Sequence, residues 1–179
     1  MHEPSPQDAP KATGPDETRR PLRVLFLCTG NACRSQMAEG WARHLGRGRL
    51  EARSAGIEVH GQDPRAIAVM REAGVDISKQ PSTRVDDTLL RWADLVVTVC
   101  GHADEHCPVL PPRTERAHWP LEDPARARGS EAEVMALFRA IRDEIRDRVR
   151  VLVDARPGKG AVRDAREGRP TAGHEEGNA

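Results

Sequence analysis

The sequence predicts an α/β fold in which helices flank a parallel β-sheet of four strands. Two apolar, strand-like runs at residues 23–27 and 95–99 alternate with helical patterns along the chain. Two weaker strand candidates lie at residues 50–54 and 116–119. Because strands alternate with helices, each crossover can return the chain to the same end of the sheet, and this favours parallel pairing.

Three helices are expected from periodicity and end signals. After the first strand, apolar residues recur every four positions and predict one buried helix face, made by Met37, Trp41 and Leu45. A second helix is expected over residues 63–73, since Asp63 before Pro64 is an N-cap signal and Gly74 is a stop signal. The clearest helix is long and amphipathic, with a buried side of Val134, Leu137, Phe138, Ile141, Ile145, Val149 and Leu152.

The chain of 179 residues has the length of one domain, predicted at residues 21–156. Residues 1–20 and 157–179 carry little apolar surface, so we expect disordered tails there. The chain has 28 Lys and Arg residues and 28 Asp and Glu residues, so its formal charge is zero. It also shows no basic stripe, and both observations argue against nucleic-acid binding. With no signal-peptide pattern and no membrane-length apolar run, the chain is expected to be a cytoplasmic monomer that binds no membrane.

The most informative segment is the short loop after the first strand, from Cys28 to Ser35. A thiol beside a helix N-terminus and a fixed cation has a low pKa, so we expect Cys28 to be a thiolate at neutral pH. Gly30 and Asn31 tolerate left-handed backbone, which lets successive N–H groups converge on one anion. Arg34 can bind two oxygens of that anion, and Ser35 can donate to the Cys28 sulfur. The predicted oxyanion-binding residues are Thr29, Gly30, Asn31, Ala32, Cys33, Arg34 and Ser35.

A second pair of cysteines lies beyond the second strong strand, with Cys100 first and Cys107 seven residues later. If the segment between them is helical, its rise of about 10 Å exceeds the ~7 Å limit on Cα separation for a disulfide. A bond between these cysteines then requires the helix to unwind, as in an exposed redox switch. Alternatives left open are a zinc site with His102 and His106, and ordinary thiols at either cysteine pair.

The motif from Cys28 to Trp41 resembles the active-site loop of the low-molecular-weight protein tyrosine phosphatase fold, and most closely its thioredoxin-coupled arsenate reductase branch. The resemblance covers nearly all of residues 23–154. It includes the motifs Ser54-Ala55-Gly56, Val97-Thr98-Val99-Cys100, Cys107-Pro108, His118-Trp119 and Asp123-Pro124. This resemblance implies a flavodoxin-like three-layer α/β sandwich with a four-stranded parallel sheet.

The resemblance also implies an activity, the reduction of arsenate to arsenite with thioredoxin as reductant and with no required cofactor or metal. Its catalytic residues would be Cys28, Arg34, Cys100, Cys107 and Asp123, with Asp123 as the general acid. From the residues alone, Glu122 remains a rival for that role. The first alternative is a tyrosine phosphatase, which needs only Cys28, Arg34 and Asp123. A thiol-based arsenite or metal sensor is the second alternative.

Some members of the reductase branch bind an alkali cation, and three residues here match that site. They are Asn31, Glu39 and Ser54, and the implied cation is potassium. Thr83 stands where an aspartate is expected, so potassium dependence stays open. His60 also matches the branch, without an assigned role.

Overall fold

The computed structural model describes residues 20–156 and confirms the predicted sheet of four parallel strands. The strands run in the order β2-β1-β3-β4. Their bounds are Leu22–Cys28 for β1, Leu50–Gly56 for β2, Leu95–Thr98 for β3 and Glu115–His118 for β4. The predicted tails lie outside the described residues except for Arg20, whose guanidinium pairs with Asp94 at 2.7 Å.

The strand order creates a crevice at one edge of the sheet. From the central strand β1 the chain crosses to β2 on one side and later to β3 on the other. Leu27 of β1 lies opposite Thr98 of β3, so both strands end at the same level. In open parallel sheets, ligands bind outside the carboxyl ends of strands where the direction of crossing reverses. Cys28 and Cys100 both lie at this position.

Within residues 20–156, five α-helices connect or follow the strands. They are α1 Arg34–Leu45, α2 Pro64–Glu72, α3 Asp87–Trp92, α4 Gly101–Glu105 and α5 Glu131–Asp154. The helices predicted after the first strand, after Asp63 and near the end of the domain are confirmed. Helix α3 was not predicted, because six residues are too few to show a period. No helix within residues 20–156 is long and apolar enough to cross a membrane.

Helices cover both faces of the sheet, which confirms the three-layer sandwich. Helices α1 and α5 pack against each other with α2 beside them, whereas α3 contacts β1 and α4 contacts both β1 and β3. The core lies between these layers and includes Phe26 of β1 and Phe138 of α5, which are both fully buried. Trp41 of α1 donates its indole N–H to the Arg142 carbonyl of α5 at 3.1 Å. This contact fixes α1, and with it the loop that precedes α1, against the last helix.

Candidate functional site

The sulfur of Cys28 lies at the end of β1, inside the loop that leads into α1. It is 2.8 Å from the hydroxyl oxygen of Ser35 and accepts the N–H of Asn31 at 3.1 Å. Asn31 has a left-handed backbone with φ of 49°, as the sequence suggested. The side-chain amide of Asn31 donates to the Ser35 hydroxyl at 2.9 Å and so orients it. The loop therefore surrounds the sulfur with hydrogen-bond donors.

The pKa of the Cys28 thiol corrects the expectation from the sequence. Burial raises this pKa above its ordinary value, because a buried thiolate loses its solvation. The hydrogen bonds from Ser35 and Asn31 lower the pKa again, but less than burial raises it. The sequence shows the donors but not the depth of the site, and depth is the larger effect.

A second segment, residues 57–63, holds the loop from behind. Its backbone N–H groups donate four hydrogen bonds of 2.8 to 3.0 Å to carbonyls of residues 28–32. Because the carbonyls of the loop point toward residues 57–63, the N–H groups of the loop can point to the opposite side, where the Cys28 sulfur lies. Gly30 is needed here for space, since a β-carbon at this position would collide with the His60 ring. His60, for which no role was predicted, therefore packs on the loop.

Arg34 and Asp123 come together from distant parts of the chain. Arg34 is the first residue of α1, and its guanidinium lies 3.4 Å from the Asp123 carboxylate. The same guanidinium donates to the Leu121 carbonyl at 3.0 Å. Asp123 caps a short 3-10 turn by accepting the Ala125 N–H, which holds its carboxylate beside Arg34. The rival Glu122 is exposed to solvent.

Cys100 lies directly beside the loop. It caps α4, accepting the Ala103 N–H at 3.3 Å, and its sulfur is 3.3 Å from the hydroxyl oxygen of Thr29. Cys100 is buried, whereas Cys107 is half-buried beyond the end of α4. All four cysteines are free thiols. The structure thus places one thiol of the second pair at the loop and the other near the surface.

Cys33 is the fourth cysteine and lies within the loop as the N-cap of α1. Burial raises the pKa of its thiol well above the ordinary range, with a further increase from the Asp63 carboxylate. Cys33 therefore belongs to the loop through its backbone, as predicted, while its thiol stays protonated.

The residues expected to bind a cation form a closed polar cluster. Glu39 is buried, and its two carboxylate oxygens accept from Arg43 at 2.8 Å and from Ser54 at 2.5 Å. The side-chain oxygen of Asn31 accepts the N–H of Thr83 at 2.7 Å. Because these oxygens already have protein donors, the cluster does not fit a potassium ion unless Arg43 moves away.

The alternative zinc site finds no support in the arrangement of side chains. Within residues 20–156, no three His, Cys, Asp or Glu side chains form a group that could hold a metal ion. His102 and His106 stack on each other, with 4.1 Å between ring centroids, on the exposed side of α4.

Two groups near the site were missed from the sequence. Gln36 is fully buried in α1 and donates to the backbone carbonyls of Asn31 and Pro81, at 3.1 and 3.0 Å. Gln36 does not lie on the predicted apolar face of Met37, Trp41 and Leu45, so the helical pattern gives no signal for its burial. Asp104 and Arg116 form an ion pair of 2.7 Å beside α4, and such a long-range contact leaves no local pattern.

Known proteins that are similar to this chain include phosphatases and arsenate reductases. The model of the low molecular weight phosphotyrosine protein phosphatase family matches residues 23–161. An arsenate reductase of Bacillus licheniformis is 54% identical over 128 residues, which span 71% of this chain and 91% of that protein. A solved arsenate reductase in a phosphate-binding state is 36% identical, with a TM-score of 0.63, over 76% of this chain and 99% of the other.

A further solved structure is the thioredoxin-dependent arsenate reductase of Corynebacterium glutamicum. It is 29% identical, with a TM-score of 0.61, and the match covers 76% of this chain and 62% of that one.

Proposed function

Because the chain belongs to the low molecular weight phosphotyrosine protein phosphatase family, and within it to the arsenate reductases, we propose that it reduces arsenate to arsenite through three cysteines that thioredoxin regenerates. The observation that carries this proposal is the position of Cys28 and Cys100 at the ends of adjacent strands. The Thr29 hydroxyl contacts the Cys100 sulfur at the edge of the Cys28 loop. Cys107 follows on the surface side.

In the first step the Cys28 sulfur attacks arsenate and forms a sulfur–arsenic bond. The loop N–H groups and the Arg34 guanidinium bind the arsenate oxygens, as the donors around Cys28 suggest. Burial keeps Cys28 as a thiol, so its proton passes to an arsenate oxygen as the anion binds. Asp123 protonates the departing oxygen, which leaves as water. Arsenic is still pentavalent in this adduct.

In the second step Cys100 attacks the sulfur of Cys28. A bond forms between the two sulfurs, the Cys100 proton passes to an arsenic-bound oxygen, and the electron pair of the sulfur–arsenic bond stays on arsenic. Arsenic is thereby reduced by two electrons and leaves as arsenite, while Cys28 and Cys100 are oxidised to a disulfide. The side-by-side ends of β1 and β3 support this step, since the attack requires the two sulfurs to meet.

In the third step Cys107 attacks Cys100 and frees the Cys28 thiol. The resulting bond joins Cys100 to Cys107 and requires α4 to unwind. Helix α4 has only five residues and lies at the surface, so its unwinding disrupts few contacts in the rest of the fold. A thioredoxin dithiol then reduces this bond. The thioredoxin dependence of the related enzyme from Corynebacterium glutamicum supports the choice of reductant.

A phosphatase needs only an attack like the first step, followed by attack of water on the phosphorus of the cysteinyl phosphate, which releases phosphate and frees the Cys28 thiol. Phosphate and arsenate share shape and charge. Weak phosphatase activity is therefore expected as a side reaction of the same loop. The residues that follow Pro124 are Ala125 and Arg126, which are both exposed and offer no aromatic surface for a tyrosine ring. The second cysteine pair also has no purpose in phosphate hydrolysis.

Potassium is not required in this proposal, and neither is any other cofactor. The guanidinium of Arg43 supplies the positive charge next to the buried Glu39 carboxylate. An alkali cation at Asn31, Glu39 and Ser54 would have to displace it.

The experiment that tests this function follows NADPH consumption with thioredoxin, thioredoxin reductase and arsenate. A parallel reaction measures hydrolysis of an aryl phosphate, and another replaces thioredoxin with glutaredoxin and glutathione. We expect arsenate-dependent NADPH consumption with thioredoxin and only slow phosphate hydrolysis. Rapid phosphate hydrolysis without arsenate reduction would establish the phosphatase alternative instead.

A further inference from the structure

Asp104, near the end of α4, contacts three side chains of the sheet. Its carboxylate accepts from the Thr98 hydroxyl at 2.8 Å and from the Arg116 guanidinium at 2.7 Å. The His118 ring nitrogen Nδ1 lies 3.7 Å from the same oxygen and 2.8 Å from the Thr98 hydroxyl oxygen. Because Thr98 donates its one proton to Asp104, Nδ1 of His118 carries a proton and donates to Thr98. Arg116 also donates to the Asp104 backbone carbonyl.

These contacts tie α4 to β3 and β4. The helix spans only Gly101–Glu105, and helices this short are unstable in water without tertiary contacts. Within α4, Ala103 is buried and Asp104 is half-buried, whereas Gly101, His102 and Glu105 are exposed. The Arg116 guanidinium and the Thr98 hydroxyl lower the pKa of Asp104, so the contacts belong to the ionised carboxylate.

The contacts of Asp104 are compatible with only one redox state of the two flanking cysteines. A bond between Cys100 and Cys107 needs their Cα atoms within about 7 Å, which an intact helix between them prevents. Asp104 lies between the two cysteines, so its backbone must move when the helix unwinds. Thr98 and Arg116 belong to β3 and β4 and stay with the sheet. The contacts therefore stabilise the dithiol state and are lost in the disulfide state.

We propose that Asp104 is a positioning residue that stabilises the dithiol form of Cys100 and Cys107 and thereby makes their disulfide easier to reduce. The proposal rests on the relay described above and adds a determinant of its redox balance. In the dithiol form Asp104 also holds Cys100 at the loop, where the second step needs it.

The departure of Asp104 has a second consequence at Cys107. Burial raises the pKa of the Cys107 thiol; the Arg116 guanidinium opposes this increase and the Asp104 carboxylate adds to it. When α4 unwinds, Asp104 leaves and Arg116 remains on β4. Unwinding thus removes the negative charge of Asp104 from the neighbourhood of the Cys107 thiol and leaves the positive charge of Arg116. Cys107 is the thiol that attacks in the third step.

The test is a redox equilibrium in the full chain with Cys28→Ser and Cys33→Ser, so that Cys100 and Cys107 are the remaining cysteines. Oxidised glutathione takes two electrons from the two thiols, giving one protein disulfide and two reduced glutathione molecules. The equilibrium constant is measured at pH 7 by trapping free thiols at fixed glutathione ratios. Asp104→Asn is compared with Glu105→Gln, an exposed neighbour on the same helix whose loss removes the same charge.

We expect Asp104→Asn to favour the disulfide about tenfold, equivalent to about 30 mV for a two-electron couple, with no change for Glu105→Gln. Arg116→Gln removes the same ion pair from the sheet side and should shift the equilibrium in the same direction. This second variant keeps the test decisive if Asp104→Asn fails to fold. The effects of the two variants together should be less than additive, because they remove one shared contact.

Two other outcomes separate this proposal from the function it rests on. If the parent chain forms no bond between Cys100 and Cys107, the relay itself is wrong. If the bond forms but the equilibrium constants of Asp104→Asn and Arg116→Gln equal that of the parent, the relay stands and the proposed role of Asp104 is wrong. A contact that merely stabilises the fold would give this second result, since it would contribute equally to both redox states.

Discussion

The hydroxyl oxygen of Ser35 lies 2.8 Å from the sulfur of Cys28. Ser35 also receives the side-chain amide of Asn31 at 2.9 Å, which leaves its own proton free to point at the sulfur. The hydroxyl and the N–H of Ser35 both lower the pKa of Cys28 and so oppose the increase caused by burial. This contact therefore makes it easier for the buried thiol to lose its proton.

Replacing Ser35 with alanine should therefore raise the pKa of Cys28 further. A hydrogen bond to a charged group contributes roughly 1.5–3 kcal/mol, so we expect kcat/KM for arsenate at pH 7 to fall about tenfold or more. The pH dependence of Cys28 alkylation by iodoacetamide, followed by mass spectrometry, measures the shift directly. Ser78→Ala is the control, because Ser78 is exposed and its hydrogen bonds go to Asp76. An unchanged alkylation profile in Ser35→Ala would show that this contact does not tune the thiol.

Asp123 is the residue beside Arg34, and its removal should affect chemistry more than binding. With Asp123→Asn the departing oxygen has no acid, so we expect kcat for arsenate reduction to fall by about 10²–10⁴-fold. Phosphate inhibition should persist, since the loop and Arg34 remain. The matched change Glu122→Gln removes a neighbouring exposed carboxylate and should leave kcat within about twofold. A larger loss of kcat in Glu122→Gln than in Asp123→Asn would show that Glu122, and not Asp123, is the general acid.

The parts of the site that the sequence predicts are those whose geometry is local. The loop donors around Cys28 follow from a strand end, a left-handed Asn31 and a helix start within eight residues. The Asp63 cap of α2 is present as expected, with its carboxylate accepting the Arg65 N–H at 2.8 Å. In each case neighbours in sequence create the contact, so the residue types alone reveal it.

The parts of the site that the sequence does not predict depend on how deeply a side chain is buried and on contacts between residues far apart in the sequence. The raised pKa of Cys28 comes from burial beneath several elements, which no spacing of residues can show. Arg116 reaches Asp104 across 12 positions, and the strand that carries Arg116 is largely exposed and weakly patterned. Similarly, the ion pair between Glu39 and Arg43 has helical spacing, but its importance follows only from the burial of Glu39.

Cys107 is needed for recycling and not for the first reduction of arsenate. In Cys107→Ser, Cys28 and Cys100 can still form their disulfide, so we expect one arsenite per chain in a single turnover. Steady-state reduction with thioredoxin should then stop, because the bond lies inside the loop region where Cys100 is buried. Rapid-quench measurement of arsenite gives the burst, and NADPH consumption gives the steady state. Full steady-state activity in this variant would reject the relay.

Arg43 takes the place at Glu39 that an alkali cation would otherwise need. Burial raises the pKa of Glu39, and the Arg43 guanidinium partly offsets this. A carboxyl whose pKa is higher in the folded state than in the unfolded state reduces stability as pH rises from its unfolded value to its folded value. The cost is absent below the unfolded pKa and complete above the folded one. Without Arg43 the folded pKa of Glu39 rises further, so this cost grows.

Arg43→Gln should therefore lower the free energy of unfolding by about 1 kcal/mol at pH 7 and by less at pH 4, as measured by urea denaturation. Potassium chloride should restore part of this loss relative to choline chloride at equal ionic strength, because the freed Glu39 oxygen can bind the cation. The wild-type chain should show no such difference, and Arg43→Gln combined with Glu39→Gln should lose the potassium effect. Equal stabilisation by potassium in the wild type and in Arg43→Gln would mean that the cation binds without displacing Arg43.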